Sequence, residues 1–252
     1  MKILVTFATR AEFAPWRRRR SFRSIGPAPH PTFEATVGEN TVRVLLTGMG
    51  WENTRRAMHA SLEEIPEVCI SSGLAGGLKP MYPVGEILAA RSVSEVEGGG
   101  KFPTDEELLQ AAAMHGATLV ETFVTSRFLV GSSDGKRRMS QFGDAVEMES
   151  FPLLEAACGR GIPAVAIRAV SDTSEEDLPY DFSRALDERG RVRWLGLLAQ
   201  IARRPQRLPA LLRLGRESLR ASESLAEFLD VYVGSLPVEM NAHVFDLPVA
   251  AT

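Results

Sequence analysis

The chain of 252 residues is 44% hydrophobic and 24% charged, which excludes disordered, collagen-like and disulfide-rich scaffold classes. Its 29 basic and 32 acidic residues leave a net charge of -3, so no nucleic-acid partner is expected. Cys69 and Cys158 lack disulfide or metal-ligand spacing, and the opening MKILVTFAT lacks the longer apolar region and the small-residue cleavage site of a signal peptide. These features predict a cytoplasmic protein whose two cysteines are reduced and which has no metal site.

Apolar, β-branched runs alternate with helical patterns along most of the chain. Strands are predicted at 2–6, 41–47, 68–72, 86–93, 121–125 and 164–170, and helices at 51–64, 104–115 and 149–160. The run AVAIRAV at 164–170 is almost wholly apolar, as is typical of a strand covered on both faces. This alternation predicts an α/β fold, a three-layer α/β/α sandwich with a mixed central sheet, in one domain spanning 1–252.

The composition changes near the C-terminus. Nine arginines and three acids lie between Asp187 and Arg220, among many leucines and two prolines. The pattern predicts an Arg/Leu-rich helical insertion at about 187–210 and a final helix at about 216–233. With the RRRR run at 17–20, this basic arm also suggests peripheral contact with a membrane surface.

Acidic residues cluster at the predicted ends of elements, where α/β proteins usually bind their ligands. Glu12, Glu147, Glu149 and Asp172 all occupy such boundaries. No dinucleotide-binding or phosphate-loop glycine pattern is present, so neither nicotinamide nor ATP binding is indicated.

Arg168 lies four residues before Asp172, which places both on one face of a regular strand. A buried arginine requires an anionic partner, so a bound substrate and an internal salt bridge both remain open for Arg168. Asp172 could likewise be a helix N-cap before Glu175 and Glu176.

Four separated motifs occur in an order that indicates a family. They are TRAEFAP at 9–15, SSGLAGGL at 71–78 followed by VGEIL, VEMES at 146–150, and IRAVSD at 167–172. Together they resemble the purine nucleoside phosphorylase and nucleosidase superfamily, and most closely its methylthioadenosine/S-adenosylhomocysteine nucleosidase branch. The resemblance runs from Met1 to about Phe182. It implies cleavage of the N-glycosidic bond of an adenosine-type nucleoside, without a cofactor, by a homo-oligomer.

The resemblance also implies a role for each matching residue. Asp172 would protonate N7 of the purine, with Ser171 orienting it, and Glu12 would activate the attacking water. Glu149 would bind the ribose hydroxyls above Met148, and Arg168 would hold the water or the ribose. Phe128 and Leu129 would flank the base by stacking and backbone hydrogen bonds, and Ala75 and Gly76 would let the base approach the backbone closely.

Water and inorganic phosphate are alternative nucleophiles in this superfamily. Arg10 is the only cation near the first loop, and Ser71 and Ser72 stand where phosphorylases carry an arginine, which favours hydrolysis. Leu74, however, replaces a serine that nucleosidases carry near the water. Phosphorolysis with phosphate as co-substrate therefore stays an alternative, as does a membrane-associated protein acting on an adenosyl lipid such as adenosylhopane.

Overall fold

A computed structural model describes residues 1–26, 30–61, 65–96, 98–180 and 200–237. The ten strands of this part are β1 (Lys2–Phe7), β2 (Arg23–Gly26), β3 (Thr32–Val37), β4 (Asn40–Leu46), β5 (Val68–Gly77), β6 (Ile87–Glu95), β7 (Lys101–Pro103), β8 (Thr118–Thr125), β9 (Ala145–Glu147) and β10 (Ala164–Asp172). The helices are α1 (Arg10–Arg19), α2 (Trp51–Ser61), α3 (Glu106–Met114), α4 (Ser133–Met139), α5 (Ser150–Cys158) and α6 (Leu208–Ser235).

The strands form one mixed sheet in the order β10-β6-β8-β9-β5-β1-β4-β3-β2. β5 is central because it pairs in parallel with β1 and β10, and its last residues pair with β9. The additional β10–β5 pairing closes five strands, β5, β10, β6, β8 and β9, into a ring. The carboxyl ends of the parallel strands β1, β5 and β10 therefore meet at one place.

Two helical layers cover the sheet and complete the predicted sandwich. One apolar cluster joins α1, α3 and α6 to one face through side chains such as Trp16, Leu108 and Leu229. The other joins α2 and α5 to the opposite face through Met58 and Leu154. The α/β class and the layered, mixed-sheet architecture predicted from the sequence are thus confirmed.

The final helix begins earlier than the sequence pattern predicts. α6 starts at Leu208 rather than near residue 216, and Pro209 lies in its first turn, where a missing N–H costs no helical hydrogen bond. The predicted insertion at about 187–210 lies partly outside the described residues, which omit 181–199. No helix in the described ranges has the length and hydrophobicity needed to cross a bilayer.

The arginine run at the end of α1 packs mainly against neighbouring elements. Arg20 forms a bidentate ion pair with Asp230 at 2.7 and 2.8 Å, and Arg19 pairs with Glu227, both on α6. Arg17 lies over the ring of Phe33 at 4.8 Å from its centroid. These contacts link the exposed run to α6 and β3, so three of its four arginines have partners within the fold.

Candidate active site

A cavity of about 510 Å³ lies at the carboxyl ends of β1, β5 and β10. Nine of the ten residues that the sequence predicts for the site line it: Glu12, Ala75, Gly76, Phe128, Leu129, Met148, Glu149, Ser171 and Asp172. The tenth, Arg168, does not. The volume fits a small organic ligand such as a nucleoside.

Glu12 is fixed at the first turn of α1 by a capping box. Thr9 N and Thr9 Oγ1 donate to Glu12 Oε2 at 2.7 and 2.9 Å, while Glu12 N donates to Thr9 Oγ1 at 3.3 Å. The other oxygen, Oε1, accepts from Leu74 N at 3.2 Å. Gly73 makes this approach possible, because its φ is +147° and an added Cβ would lie 3.1 Å from Glu12 Oε1. The Glu12 carboxylate is therefore held in one orientation at the cavity wall.

Glu149 immediately precedes α5. Its Oε1 accepts from Gly50 N at 2.7 Å, and its Oε2 accepts from Met148 N at 3.3 Å. Burial and the neighbouring Glu147 carboxylate raise the pKa of Glu149 to about 8, against the opposing effect of Arg168. Glu149 faces the cavity and accepts from these two backbone N–H groups, and it can also form hydrogen bonds with ligand hydroxyls.

Asp172 ends β10 and is not a helix N-cap, since a turn follows it. Its Oδ1 accepts from Ser171 Oγ at 2.5 Å, and its Oδ2 forms an ion pair with Lys136 of α4. An added Cβ on Gly76 would lie 3.2 Å from Asp172 Oδ2, so the glycine leaves room for the carboxylate beside β5. Both oxygens are thus positioned by the protein.

Arg168 lies beneath the cavity and is 1% exposed. Its Nη2 donates to Glu147 Oε2 at 2.6 Å, to Ser150 Oγ at 2.8 Å and to Ser71 Oγ at 3.1 Å. The internal salt bridge is the alternative that this geometry supports, and direct contact between Arg168 and a ligand in the cavity is not. Asp172 lines the cavity and Arg168 does not, although the two lie four residues apart. A β-bulge between Val170 and Asp172 shifts the register against β5 and breaks the alternation of the strand.

Several residues contribute to the site although the sequence pattern does not indicate it. Lys136 lies in the charged stretch DGKRR, without a hydrophobic pattern to place it. The N-terminal half of α6 supplies Leu214, Gly215, Ser218 and Leu219 to the cavity wall. Leu219 is 48% exposed and Phe128 70% exposed, so the cavity opens through an apolar rim.

The charges around the cavity are one-sided. Glu12, Glu147, Glu149 and Asp172 line it, whereas no lysine or arginine does among the described residues. Arg168 and Lys136 compensate these acids from behind the wall. In the described part of the chain no cluster of His, Cys, Asp and Glu is arranged to hold a metal ion. The arrangement suits proton transfer and hydrogen bonding to a neutral ligand.

Comparison with known proteins places the chain in a family. The family model described as "Phosphorylase superfamily" matches residues 2–203. The 5'-methylthioadenosine/S-adenosylhomocysteine nucleosidase of Anoxybacillus flavithermus is 26% identical over 215 residues, covering 75% of this chain and 92% of the relative. The enzyme of the same name from Exiguobacterium sp. is 26% identical over 180 residues, covering 62% and 77%.

Solved structures share the fold. The nucleosidase of the same name from Neisseria meningitidis, in complex with methylthio-immucillin-A, superposes with a TM-score of 0.73 at 20% identity, covering 93% of this chain and 99% of the other. Futalosine hydrolase of Helicobacter pylori gives 0.71 at 17% identity, covering 94% of this chain and 98% of the other. At these identities the likeness concerns architecture alone.

Proposed function

Because the chain belongs to the phosphorylase superfamily, we propose that it cleaves the N-glycosidic bond of a purine nucleoside of the adenosine type, with water as nucleophile. The observation that carries the proposal is the convergence of Glu12, Glu149 and Asp172 on one cavity of nucleoside size. Three curated relatives with the name 5'-methylthioadenosine/S-adenosylhomocysteine nucleosidase support the reaction class.

The chemistry needs these groups at opposite ends of one bond. As C1′–N9 breaks, positive charge builds on the ribose and negative charge on the purine. Asp172 gives a proton to N7 of the departing base, and Glu149 forms hydrogen bonds with the ribose hydroxyls as the sugar becomes cationic. Glu12 takes the proton of the water that adds to C1′. No cofactor takes part in these steps.

The remaining predicted residues have positions that suit binding. Met148 would pack under the ribose, Phe128 and Leu129 would flank the base, and Ala75 and Gly76 would let it approach the backbone of β5. Ser171 Oγ, which donates to Asp172, would orient the acid. Arg168 acts in this scheme only through Glu147 and Ser150, which it holds at the N-terminus of α5.

Water is favoured over phosphate by the charge of the cavity wall. A phosphate dianion would face a wall with four acidic side chains and, among the described residues, no lining arginine or lysine. Phosphorolysis remains the alternative, and the experiment must distinguish it from hydrolysis.

Base release from a panel of nucleosides, with and without phosphate, tests the proposal. The panel contains adenosine, inosine, 5′-methylthioadenosine and S-adenosylhomocysteine, and the sugar product is identified as ribose or ribose 1-phosphate. We expect phosphate-independent release of adenine. Asp172→Asn should lose about 10²–10⁴-fold in rate. The exposed Asp134→Asn on α4 is the matched control. Absence of base release from every nucleoside would refute the proposal.

A second candidate substrate is an adenosyl lipid such as adenosylhopane, taken from a membrane surface. The exposed apolar rim of Phe128 and Leu219, next to the arginines of α6, favours it. Flotation with anionic and neutral vesicles, comparing the wild type with Arg213→Glu/Arg220→Glu, tests the membrane contact. Equal binding by both proteins would refute it. Light scattering tests the homo-oligomer, and cell fractionation the cytoplasmic location, that the proposal includes.

A further inference from the structure

The proposed chemistry does not account for the placement of Lys136 beside the cavity. Lys136 is fully buried, although it belongs to a short surface helix whose following residues Arg137 and Arg138 are exposed. Lysine is almost never buried unless it is paired, because removing an ammonium group from water is costly. Its buried position therefore requires partners that compensate for the lost hydration of the ammonium group.

The ammonium of Lys136 has acceptors for all three of its protons. Nζ forms an ion pair with Asp172 Oδ2 and donates to Thr173 O at 2.5 Å and to Glu176 O at 3.1 Å. Both carbonyls belong to the turn after β10, so Lys136 also fixes the segment that carries Asp172. None of these contacts involves the cavity itself, since Lys136 stands behind the carboxylate and does not line the wall.

We infer that Lys136 is a positioning residue that acts through Asp172 and supplies the proton that Asp172 passes to the leaving purine. The inference rests on the proposed nucleoside cleavage. Each carboxylate oxygen of Asp172 has its own partner: Oδ1 accepts from Ser171, and Oδ2 contacts Lys136. The ammonium of Lys136 is in direct contact with Asp172 Oδ2, so a proton can pass between the two side chains along this contact. Asp172 thus has a proton available without taking one from bulk water.

The proton steps balance. The C1′–N9 bond breaks and its electron pair moves to the purine, while N7 takes a proton from Asp172 and Asp172 takes one from the Lys136 ammonium. Water adds to C1′ and its second proton goes to Glu12. The site then holds a neutral amine at Lys136 and a neutral acid at Glu12. After the products leave, solvent carries that proton from Glu12 back to Lys136.

A leaving group that needs no proton separates this role from a structural one. 4-Nitrophenyl β-D-ribofuranoside releases nitrophenolate without protonation, whereas adenine requires a proton at N7. We expect Lys136→Met to lose at least 100-fold in kcat/KM on the best purine nucleoside of the panel and less than tenfold on the nitrophenyl riboside. The double variant Lys136→Met/Asp172→Asn should be no slower on the purine than Asp172→Asn alone, because the two residues act as a unit.

Lys79→Met is the matched control, since it removes the partner of Asp144, an ion pair outside the cavity wall. Lys136→Gln keeps two N–H donors without the charge or the proton, and it serves where Lys136→Met fails to fold. If the wild type does not accept the nitrophenyl riboside, an N7-methylated purine nucleoside takes its place. Equal losses on both leaving groups, or no loss, would overturn the inference while leaving nucleoside cleavage intact. Absence of base release by the wild type would instead refute the proposed function.

Discussion

Arg168 Nη2 lies beneath the cavity, 2.6 Å from Oε2 of the lining residue Glu147, and both side chains are almost completely buried. Glu147 also accepts from the backbone N–H groups of Glu149 and Ser150 at 2.8 and 2.7 Å. One ion pair therefore joins β10 to the start of α5 and to the loop that carries Glu149. Arg168 serves the site by holding its acids in place.

Replacing Arg168 by Met should leave the Glu147 carboxylate buried without its cation. We expect a loss of about 3–5 kcal/mol in the free energy of unfolding, measured by urea denaturation. The double variant Arg168→Met/Glu147→Gln should recover part of it, because the amide keeps a hydrogen-bond acceptor without a charge. A single variant of wild-type stability but without activity would instead indicate direct contact with the substrate.

Glu12→Gln should abolish most of the hydrolysis and leave the protein folded. The amide oxygen can still accept from Thr9 N at the start of α1, but it cannot take a proton from water. A loss of about 10²–10⁴-fold in kcat is expected, with binding of an unreactive substrate analogue largely retained. Glu52→Gln, on the exposed first turn of α2, is the matched control. Full activity of Glu12→Gln would exclude Glu12 as the base.

The raised pKa of Glu149 makes stability depend on pH. Below the ordinary pKa of 4.5, the carboxyl group is protonated in the folded and unfolded chains alike. Between 4.5 and about 8 it ionises only in the unfolded chain, so stability falls as the pH rises through this window and levels off above it. This one group costs at most about 1.4 kcal/mol per pH unit.

Glu149→Gln should therefore flatten the pH dependence of the free energy of unfolding between pH 5 and about 8. Urea titrations at several pH values measure it, with the exposed Glu155→Gln on α5 as control. A variant slope equal to that of the wild type over this range would show that Glu149 is ionised in the folded protein.

Leu219 should contribute to the binding of apolar 5′ substituents. It lines the cavity from α6 and is partly exposed, so truncation to Ala removes only part of a buried side chain. We expect KM for 5′-methylthioadenosine to rise about three- to tenfold, corresponding to about 1 kcal/mol, and KM for adenosine to change less. Leu212→Ala, on the same helix but outside the cavity wall, is the control. An equal rise for both nucleosides would place Leu219 near the base or ribose.

The sequence allowed the acids at strand ends to be predicted better than their surroundings. Asp172, Glu12 and Glu149 follow or precede strongly patterned elements, and nine of the ten predicted residues line the cavity. Arg168 lies outside the cavity wall because strict alternation along a strand fails at a bulge, which leaves no mark in the residue pattern. α1 was not predicted, since Pro15 and four arginines obscure its apolar face.

Long-range pairing also limits prediction from the sequence. Lys136 lies 36 residues before Asp172 on a helix of seven residues, and only the folded chain brings them together. The same holds for α6, whose contribution to the cavity depends on how it crosses the sheet. Local patterns indicate that these helices exist, but tertiary packing decides what they face.

The closed ring of strands also constrains how the protein folds. β5 can pair early with β1, but its other edge waits for β10, whose first residue follows the end of β5 by 87 positions along the chain. Such distant pairing is slow, because chain entropy must be lost before the contacts form. Asp172 is the last residue of the last ring strand. The site therefore forms only when nearly the whole sheet is complete. We expect chains that end before β10 to be inactive, because they lack Asp172.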